Sequence, residues 1–445
     1  MTRLHVHARN LAAVVFLGAL GLAGCGKEEP KPEAKGAAAP PTLDIRIGHV
    51  APLTGGIAHL GKDNENGARL AIDEANAANI TIDGKQARFS LVPEDDQADP
   101  KTGTTVAQKL VDAKVAGVVG HLNSGTSIPA SALYSGANIP MISGSATNPQ
   151  LTEQGLKGVF RVVARDDQQG PAIANYLVAT AKPKLVAVID DATAYGEGLA
   201  NEVERTLKAA NIKVLPREKG DDRRTDWKAV LTKLKGRRPD AVFYGGMDAT
   251  GGPLLRQARE LDIKAVFSFG DGACTDKMQE LAGKAADGLL CSQAGIPPAA
   301  ASKKFLEAYK AKFKMDPILY APFTYDAANL LIESMRKANS PDPAKYLPVL
   351  QKIEFAGASG RIVFDDKGDR KDAEITIFTM KGGKLDPIAI IKRGQTIKFE
   401  EFIAQSSAAA APPSGTPAAA PAAEPGKSGD APKAEPAKDT RAEKK

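Results

Sequence analysis

The sequence predicts an α/β protein made of two doubly wound parallel-sheet lobes, and three observations predict it. Short Val- and Ile-rich runs alternate with amphipathic helical segments from about residue 43 to residue 403. This alternation is typical of parallel sheets covered by helices on both faces. It continues over more units than one doubly wound sheet normally holds, which favours two lobes. The two ends differ in composition from this middle and are not expected to join the fold.

The predicted strands are short apolar runs bounded by turn residues. In order, they lie at 44–50, 88–93, 114–120, 139–143, 158–163, 184–190, 212–216, 240–246, 265–270 and 287–292. Helical periodicity falls between them at 67–78, 101–113, 168–181, 196–210, 226–235, 251–261 and 300–314. The region 319–352 has helical periodicity without strands, and strand patterns return at 360–366, 374–380 and 387–393. A chain that returns to β-structure at its end often completes a sheet begun earlier.

The N-terminus has the pattern of a secretory signal. A basic start with Arg3 and Arg9 precedes the apolar run 11–20, which is too short to span a bilayer. The run closes on Leu-Ala-Gly-Cys, which resembles a bacterial lipobox with Cys25 as the lipidated residue. An ordinary signal peptide that happens to contain a cysteine is the alternative. Residues 1–24 are therefore predicted to be a lipoprotein signal peptide.

Two segments rich in Ala, Pro and charge flank the predicted fold. Residues 25–42 are expected to be a flexible linker after Cys25, and residues 405–445 a disordered tail. A cell-wall-binding or partner-binding tail is the alternative for the second segment. Acyl chains on Cys25 would tether the folded part to a membrane.

Composition and motifs exclude several classes of protein. The net charge of +6 is small for 445 residues and aromatics make up only 5%, which argues against a nucleic-acid-binding role. No Walker loop, dinucleotide fingerprint or nucleophile elbow follows a predicted strand, so neither an enzyme nor a cofactor is expected. Three cysteines without ligand spacing do not make a metal site.

Three histidines and one acidic pair could have had functional roles, but structural roles are expected for them. His49, His59 and His121 are isolated in the sequence, and loop positions are expected for them rather than a metal site. The pair Asp95-Asp96 is expected to be a solvated strand end.

Polar residues also follow several predicted strands at their carboxyl ends, where open parallel sheets bind ligands. Ser124, Ser145 and Thr147 are either helix caps or, converging from neighbouring strands, an anion site. Asp271 is either a turn residue or the partner of a buried cation. An anion site together with a partner for a buried cation would suit an α-amino acid zwitterion, whose two charges must both be paired once water is excluded.

Several longer segments make the chain recognisable. They are APLTG, NGARLAIDEAN, DDQADP, VVGHLNSG, IPMISGSATNPQLT, FRVVARDDQQGPAIANYL, YGEGLA, YGGMDATGGPLLRQAR and IVFDDKGD. Over residues 43–400 the chain resembles the periplasmic leucine/isoleucine/valine-binding proteins of branched-chain amino-acid ABC transporters. The resemblance implies the type I periplasmic binding fold, in which a hinge of three crossovers joins the lobes. It implies an N-terminal lobe of 43–165 with 296–372, and a C-terminal lobe of 166–295 with 373–404.

The resemblance also implies roles for individual residues. Ser124 matches the serine that takes the ligand carboxylate, and Ser145 and Thr147 match the turn that contacts both carboxylate and ammonium. Asp271 matches the acid that pairs with the ammonium, and Tyr195 the aromatic that closes over the ligand. The side-chain pocket is expected at Leu122, Leu60, Met247 and Tyr320.

The chain departs from the archetypal members at some of these positions. The archetypal members have tyrosines at the positions of Leu60 and Met247, so the side chain that the ligand should carry stays open. Asp271 is one methylene shorter than the Glu that is usual in the family. An early disulfide of the family is absent. Cys274 and Cys291 are either paired, closing a loop worth ~3 kcal/mol in the chain-entropy model, or two buried thiols.

The sequence therefore predicts an extracytoplasmic, lipid-anchored solute-binding protein of an ABC importer. It is expected to be a monomer that captures a branched-chain or related L-amino acid and delivers it to the permease. Two alternatives stay open. The fold could bind an amide, urea or an aromatic acid as a sensor or importer receptor, or the chain could be an envelope lipoprotein that binds no ligand.

Overall fold

A computed structural model describes residues 41–410, so the predicted signal peptide, Cys25 and nearly all of the linker lie outside the described residues, as does the tail beyond Ala410. The fold contains a six-stranded sheet, a nine-stranded sheet and a small hairpin. Within residues 41–410 no helix is long and apolar enough to cross a bilayer.

The first sheet is formed by the N-terminal part of the chain. Its strands are β1 (Thr42–Ala51), β2 (Thr81–Ile82), β3 (Lys85–Asp95), β4 (Gly117–Gly120), β5 (Met141–Ser143) and β6 (Val159–Arg161), in the order β2-β3-β1-β4-β5-β6. All pairs are parallel except the β2–β3 hairpin. The helices between these strands are α1 (Ala58–Ala77), α2 (Pro100–Asp112), α3 (Ser124–Gly136) and α4 (Gln150–Glu153).

The second sheet begins after helix α5 (Asp166–Ala181). Its parallel part consists of β7 (Leu185–Asp190), β8 (Lys213–Val214), β9 (Glu218–Lys219), β10 (Ala241–Gly245), β11 (Val266–Phe269) and β12 (Leu290–Gln293). Helices α6 (Ala194–Ala209), α7 (Lys228–Arg237), α8 (Asp248–Glu260) and α9 (Lys277–Ala282) connect these strands, with short 3₁₀ turns at Asp271–Ala273, Gly283–Ala286 and Pro298–Ala300.

After β12 the chain returns to the side of the first sheet, where it forms three helices and a hairpin, and then crosses back to the second sheet. Helices α10 (Lys303–Phe313), α11 (Ala321–Lys337) and α12 (Pro343–Leu350) precede the hairpin of β13 (Glu354–Gly357) and β14 (Gly360–Val363), and α11 packs along α1. Strands β15 (Ile375–Lys381), β16 (Lys384–Lys392) and β17 (Gln395–Lys398) then extend the second sheet in antiparallel fashion from β12. The chain thus passes between the sheets three times, after β6, after β12 and before β15.

The fold-class prediction is confirmed, since two mainly parallel sheets alternate with helices. The expectation that the last strands complete an earlier sheet is also confirmed for β15 and β16. Strand β8 lies within the strand predicted at 212–216. The two-residue strands β2 and β9 were not predicted, because elements this short have no readable periodicity.

The last helix overlaps the first residues of the segment 405–445 that was expected to be a tail. Helix α13 (Phe399–Ala410) continues past residue 405. Glu400 and Glu401 lie in its first turn, where negative charge complements the helix dipole, and the alanines at its end have the highest helix propensity. Local propensity therefore extends the helix into a segment that has too few large apolar side chains to form a core.

Candidate functional site

The first half of the site is the turn between β4 and α3. Leu122 and Ser124 are both buried in it, and Ser124 is the first residue of α3. The N-cap residue Asn123 makes no side-chain capping bond. The first N–H groups of a helix have no partner inside that helix, so those of α3 remain available to an anion.

The turn after β5 packs against this first turn. The Ser145 hydroxyl donates to the Leu122 carbonyl at 3.0 Å, and the Asn148 N–H donates to the Ser124 hydroxyl at 3.2 Å. Thr147 is fully buried, and its hydroxyl has no hydrogen-bond partner among residues 41–410. The structure thus brings Ser124, Ser145 and Thr147 together, each with a polar group at the end of a parallel strand.

A buried hydrogen-bond network next to these turns holds them in place. Its residues, and two histidines elsewhere, differ from what the sequence led us to expect. His121 is fully buried, with Nδ1 3.0 Å from Asp96 Oδ2 and Nε2 3.0 Å from the Tyr134 hydroxyl. Asp96 is also buried, so it is no solvated strand end. The expectation of loop positions is wrong for His49, which lies in β1, and for His59, which lies in α1. Asp96 and His121 are 25 positions apart in the sequence, so the local charge pattern could not reveal that they form a pair.

The second half of the site is centred on Asp271, which follows β11 in a 3₁₀ turn and is 1% exposed. Its carboxylate accepts hydrogen bonds from the Tyr195 hydroxyl at 2.8 Å, the Tyr320 hydroxyl at 2.7 Å and Gln169 Nε2 at 2.9 Å. Burial raises the pKa of Asp271, and these three donors oppose the rise. Within residues 41–410 no Lys, Arg or His contacts this carboxylate.

The two tyrosines that contact Asp271 come from opposite sides. Tyr195 lies in α6, which covers the second sheet, whereas Tyr320 is the N-cap residue of α11, which packs along α1. Burial raises the pKa of both phenols well above the ordinary value, with the charge of Asp271 as the next cause. Both hydroxyls therefore keep their protons and serve as donors.

The residues predicted for the side-chain pocket also lie together. Leu60 of α1, Leu122 and Tyr320 belong to one small apolar cluster, and Met247 packs against it from the start of α8. These side chains form an apolar surface that contains Leu122, from the same turn as Ser124. A nearby cavity of about 670 Å³ is lined by elements of both sheets, including Tyr195, Met247 and Asn123.

Three polar residues at the site were missed from the sequence. Gln169 bonds Asp271, and Asp166 is fully buried at the first position of α5. Asp248, at the start of α8, accepts from His59 Nε2 at 2.7 Å. The run Arg-Asp-Asp-Gln-Gln was the available signal for the first two, but adjacent polar residues do not reveal which of them faces inward.

Cys274 and Cys291 are joined by a disulfide, with Cα atoms 5.4 Å apart. The bridge links the turn that carries Asp271 to strand β12. It therefore restrains the position of the buried acid. Within residues 41–410 no cluster of three His, Cys, Asp or Glu side chains could hold a metal ion.

Comparisons with known proteins agree with this architecture. Residues 44–384 match the family model described as periplasmic binding protein. The leucine-, isoleucine-, valine-, threonine- and alanine-binding protein of Pseudomonas aeruginosa is 34% identical over 338 residues, which cover 75% of this chain and 89% of that protein.

Two solved structures are similar over most of the chain. The leucine-binding protein LivK of Thermotoga maritima is 30% identical, with a TM-score of 0.73, 78% of this chain covered and 99% of that one. The branched-chain amino acid transporter substrate-binding protein LivJ of Streptococcus pneumoniae, in complex with isoleucine, is 29% identical, with a TM-score of 0.70, 80% of this chain covered and 100% of that one. Membership of this family implies an extracytoplasmic location, and the relatives are solute-binding proteins rather than enzymes. The chain belongs to the periplasmic binding protein family, among proteins similar to the branched-chain amino acid receptors of ABC transporters.

Proposed function

We propose that this chain is the lipid-anchored solute-binding protein of an ABC importer, and that it captures a branched-chain or related L-amino acid between two lobes. The names of the relatives support the ligand class, since they bind leucine, isoleucine or valine. The protein would carry out no reaction. It would act as a monomer and deliver the amino acid to the permease.

The observation that carries this proposal is the environment of Asp271. A buried carboxylate that receives three neutral hydrogen bonds and contacts no cation among the described residues lacks a counter-charge. Burial of an unpaired charge is costly, so a ligand ammonium placed here gains strongly. Ligands without a cationic group would leave Asp271 unpaired.

The opposite charge of the zwitterion has a matching surface. Ser124, Ser145 and Thr147 present hydroxyls beside the N-terminus of α3, where the helix dipole favours a carboxylate. The Leu60, Leu122, Met247 and Tyr320 cluster would then hold an aliphatic side chain. One ligand of modest size satisfies all three surfaces at once.

The lobes that we propose are 43–165 with 296–372 and 166–295 with 373–404. All strands of the first sheet fall in the first of these sets and all strands of the second sheet fall in the other. Tyr320 and Asp271 belong to different lobes in this division. A ligand that stabilises their contact therefore favours the arrangement in which the lobes are closed. The permease would recognise the surface that closure creates.

The membrane anchor in this proposal is Cys25, which lies outside the described residues. Metabolic labelling with a palmitate analogue tests it. We expect label on the wild-type chain and none on Cys25→Ser, while Cys25→Ser remains folded and binds ligand. Labelling of the variant, or no labelling of the wild type, would remove the anchor and leave the binding function intact.

A thermal-shift panel on the full-length protein, unfolded and refolded to strip bound ligand, tests the ligand class. The panel contains the twenty L-amino acids, γ-aminobutyrate, urea, acetamide and benzoate. A shift of several degrees for Leu, Ile, Val or a close relative is expected, because ligand binding stabilises the folded state by mass action. A shift only for an amide or benzoate would favour the receptor alternative, and silence throughout would favour the envelope lipoprotein.

A further inference from the structure

A second buried carboxylate lies at the site and has no assigned partner. Asp166 is the first residue of α5, and its N–H donates to the Thr147 carbonyl at 2.9 Å. Its side chain is fully buried, and neither of its oxygens has a hydrogen-bond partner among residues 41–410. A Cβ built on Gly198 of α6 would lie 3.7 Å from Asp166 Oδ2, so the carboxylate lies against α6.

Asp166 and Asp271 act on each other electrostatically. Burial, followed by the charge of Asp271, raises the pKa of Asp166 well above its ordinary value. The Asp166 charge also contributes to the raised pKa of Tyr195 and of Tyr320, so all four groups share one low-dielectric region.

The other groups that face Asp166 do not neutralise it. The Thr147 hydroxyl lies near the Asp166 carboxylate without reaching hydrogen-bond geometry and lowers its pKa, as Arg161 does, whereas Asp167 raises it. Arg161 is itself bonded to Asp369 through Nε at 2.5 Å, so its charge already has a partner.

Asp166 and Gln169 are buried three positions apart on α5, on the same side of the helix, and Gln169 Nε2 donates to Asp271 at 2.9 Å, so the two acids face one region. Two buried acids that interact cannot both ionise at ordinary cost, and such a pair holds a proton.

We propose that Asp166 and Asp271 hold the ligand ammonium jointly, and that the pair releases a proton to solvent when the amino acid binds. In the empty site one carboxylic O–H remains. On binding, that O–H bond breaks, the proton passes to water, and the resulting carboxylate accepts an N–H from the ammonium. This inference rests on the proposed function and names a second residue for the same charge.

Proton release makes binding depend on pH in a defined direction. Removing protons from solution favours the side of the equilibrium that has released one, so affinity rises with pH across the range in which the empty pair holds its proton. A purely structural role for Asp166, as an acid at the N-terminus of α5, would alter stability but would not couple binding to protons.

Calorimetry with L-leucine on the ligand-stripped full-length protein, in Tris and in phosphate, tests the inference. The wild type is expected to release protons, seen as an enthalpy that differs between the buffers, and to bind more tightly at pH 8 than at pH 6. Asp166→Asn is expected to lose the buffer dependence and roughly tenfold or more in affinity at pH 8. The control is Asp287→Asn, an exposed acid that is not among the groups acting on Asp166 or Asp271, and it is expected to behave like the wild type.

The outcomes separate this inference from the function on which it rests. Tight leucine binding by the wild type with equal enthalpies in both buffers would overturn the inference and leave the proposed function standing. Unchanged proton release in Asp166→Asn would do the same. A wild type that binds no amino acid would overturn both.

Discussion

Asp63 in α1 accepts the backbone N–H of Tyr320 at 2.7 Å, across 257 positions of sequence. The same carboxylate accepts the N–H groups of Ile318 at 2.9 Å, Leu319 at 2.9 Å and Ala321 at 3.0 Å. One buried acid thereby satisfies the N–H groups of the turn that leads into α11, together with the first N–H of that helix, and fixes the turn from which the Tyr320 phenol reaches Asp271. The geometry of the site thus depends on a residue that touches no ligand surface.

Replacing Asp63 with Asn is expected to lower the free energy of unfolding by about 2–3 kcal/mol, since an amide presents one oxygen to several donors and leaves N–H groups unsatisfied. Denaturant unfolding measures the loss. The control is Asp73→Asn on the same helix, an exposed residue whose surface pair with Lys312 should contribute little. Equal stability of Asp63→Asn and wild type would show that Asp63 does not hold the turn.

The pair formed by His59 and Asp248 connects the two lobes beside the proposed side-chain pocket. Asp248 Oδ2 also accepts the Thr275 hydroxyl at 2.6 Å, and Asp248 is fully buried. His59→Ala is expected to weaken amino acid binding by about 1–2 kcal/mol, because the bond to Asp248 stabilises the closed arrangement.

His59→Gln retains a donor and is expected to recover most of the affinity in the same calorimetric titration. The unfolding midpoint without ligand serves as a second readout and should change little in either variant. If His59→Gln loses as much affinity as His59→Ala, the hydrogen bond between His59 and Asp248 is not what stabilises binding.

The buried His49 predicts how stability changes with pH. Burial lowers its pKa to about 4, compared with 6.5 in the unfolded chain, while Nδ1 bonds the Val119 carbonyl at 3.0 Å. Between these values the unfolded chain binds more protons, so this group stabilises the fold above pH 6.5 and its contribution is lost as the pH falls to about 4. The full difference is about 3 kcal/mol.

Urea unfolding of wild type and His49→Gln at pH 7 and at pH 4 measures this effect. Other groups titrate in both proteins, so only the difference between them counts. We expect the wild type to lose about 3 kcal/mol more than the variant on acidification. Parallel losses in the two proteins would contradict the assignment of a neutral buried His49.

The sequence predicted the strands and helices well where they were long and periodic, as in β1 and α1. It also predicted that the turns of Ser124 and Ser145 converge, because the carboxyl ends of neighbouring parallel strands lie together. The resemblance to a known family supplied Tyr195 and Tyr320, which no local pattern singles out.

What the sequence could not reveal depends on contacts between distant positions. The bond of Asp96 to His121 and that of Asp63 to the start of α11 join different elements, so neither leaves a periodic trace. Whether a polar residue such as Asp166 is buried depends on how the two lobes meet. The extension of α13 was missed for the opposite reason, because local helix propensity acted where no core was expected.

Asp271→Asn is expected to weaken amino acid binding by about 2–4 kcal/mol, since it removes the charge that pairs with the ammonium. Calorimetry on the stripped protein measures the change. Asp287→Asn, an exposed acid of the same lobe, is the matched control and should bind as the wild type does. Full affinity in Asp271→Asn would remove Asp271 from the site.

Whether Asp271 pairs the ligand ammonium is tested by calorimetric titrations of the wild type with L-leucine and with isocaproate, which is leucine without its ammonium group. Both ligands offer the same side chain and carboxylate, so they differ only in the charge that Asp271 is proposed to pair. The proposed role of Asp271 predicts that leucine binds and that isocaproate binds at least ~100-fold more weakly. Isocaproate binding as tightly as leucine would contradict it.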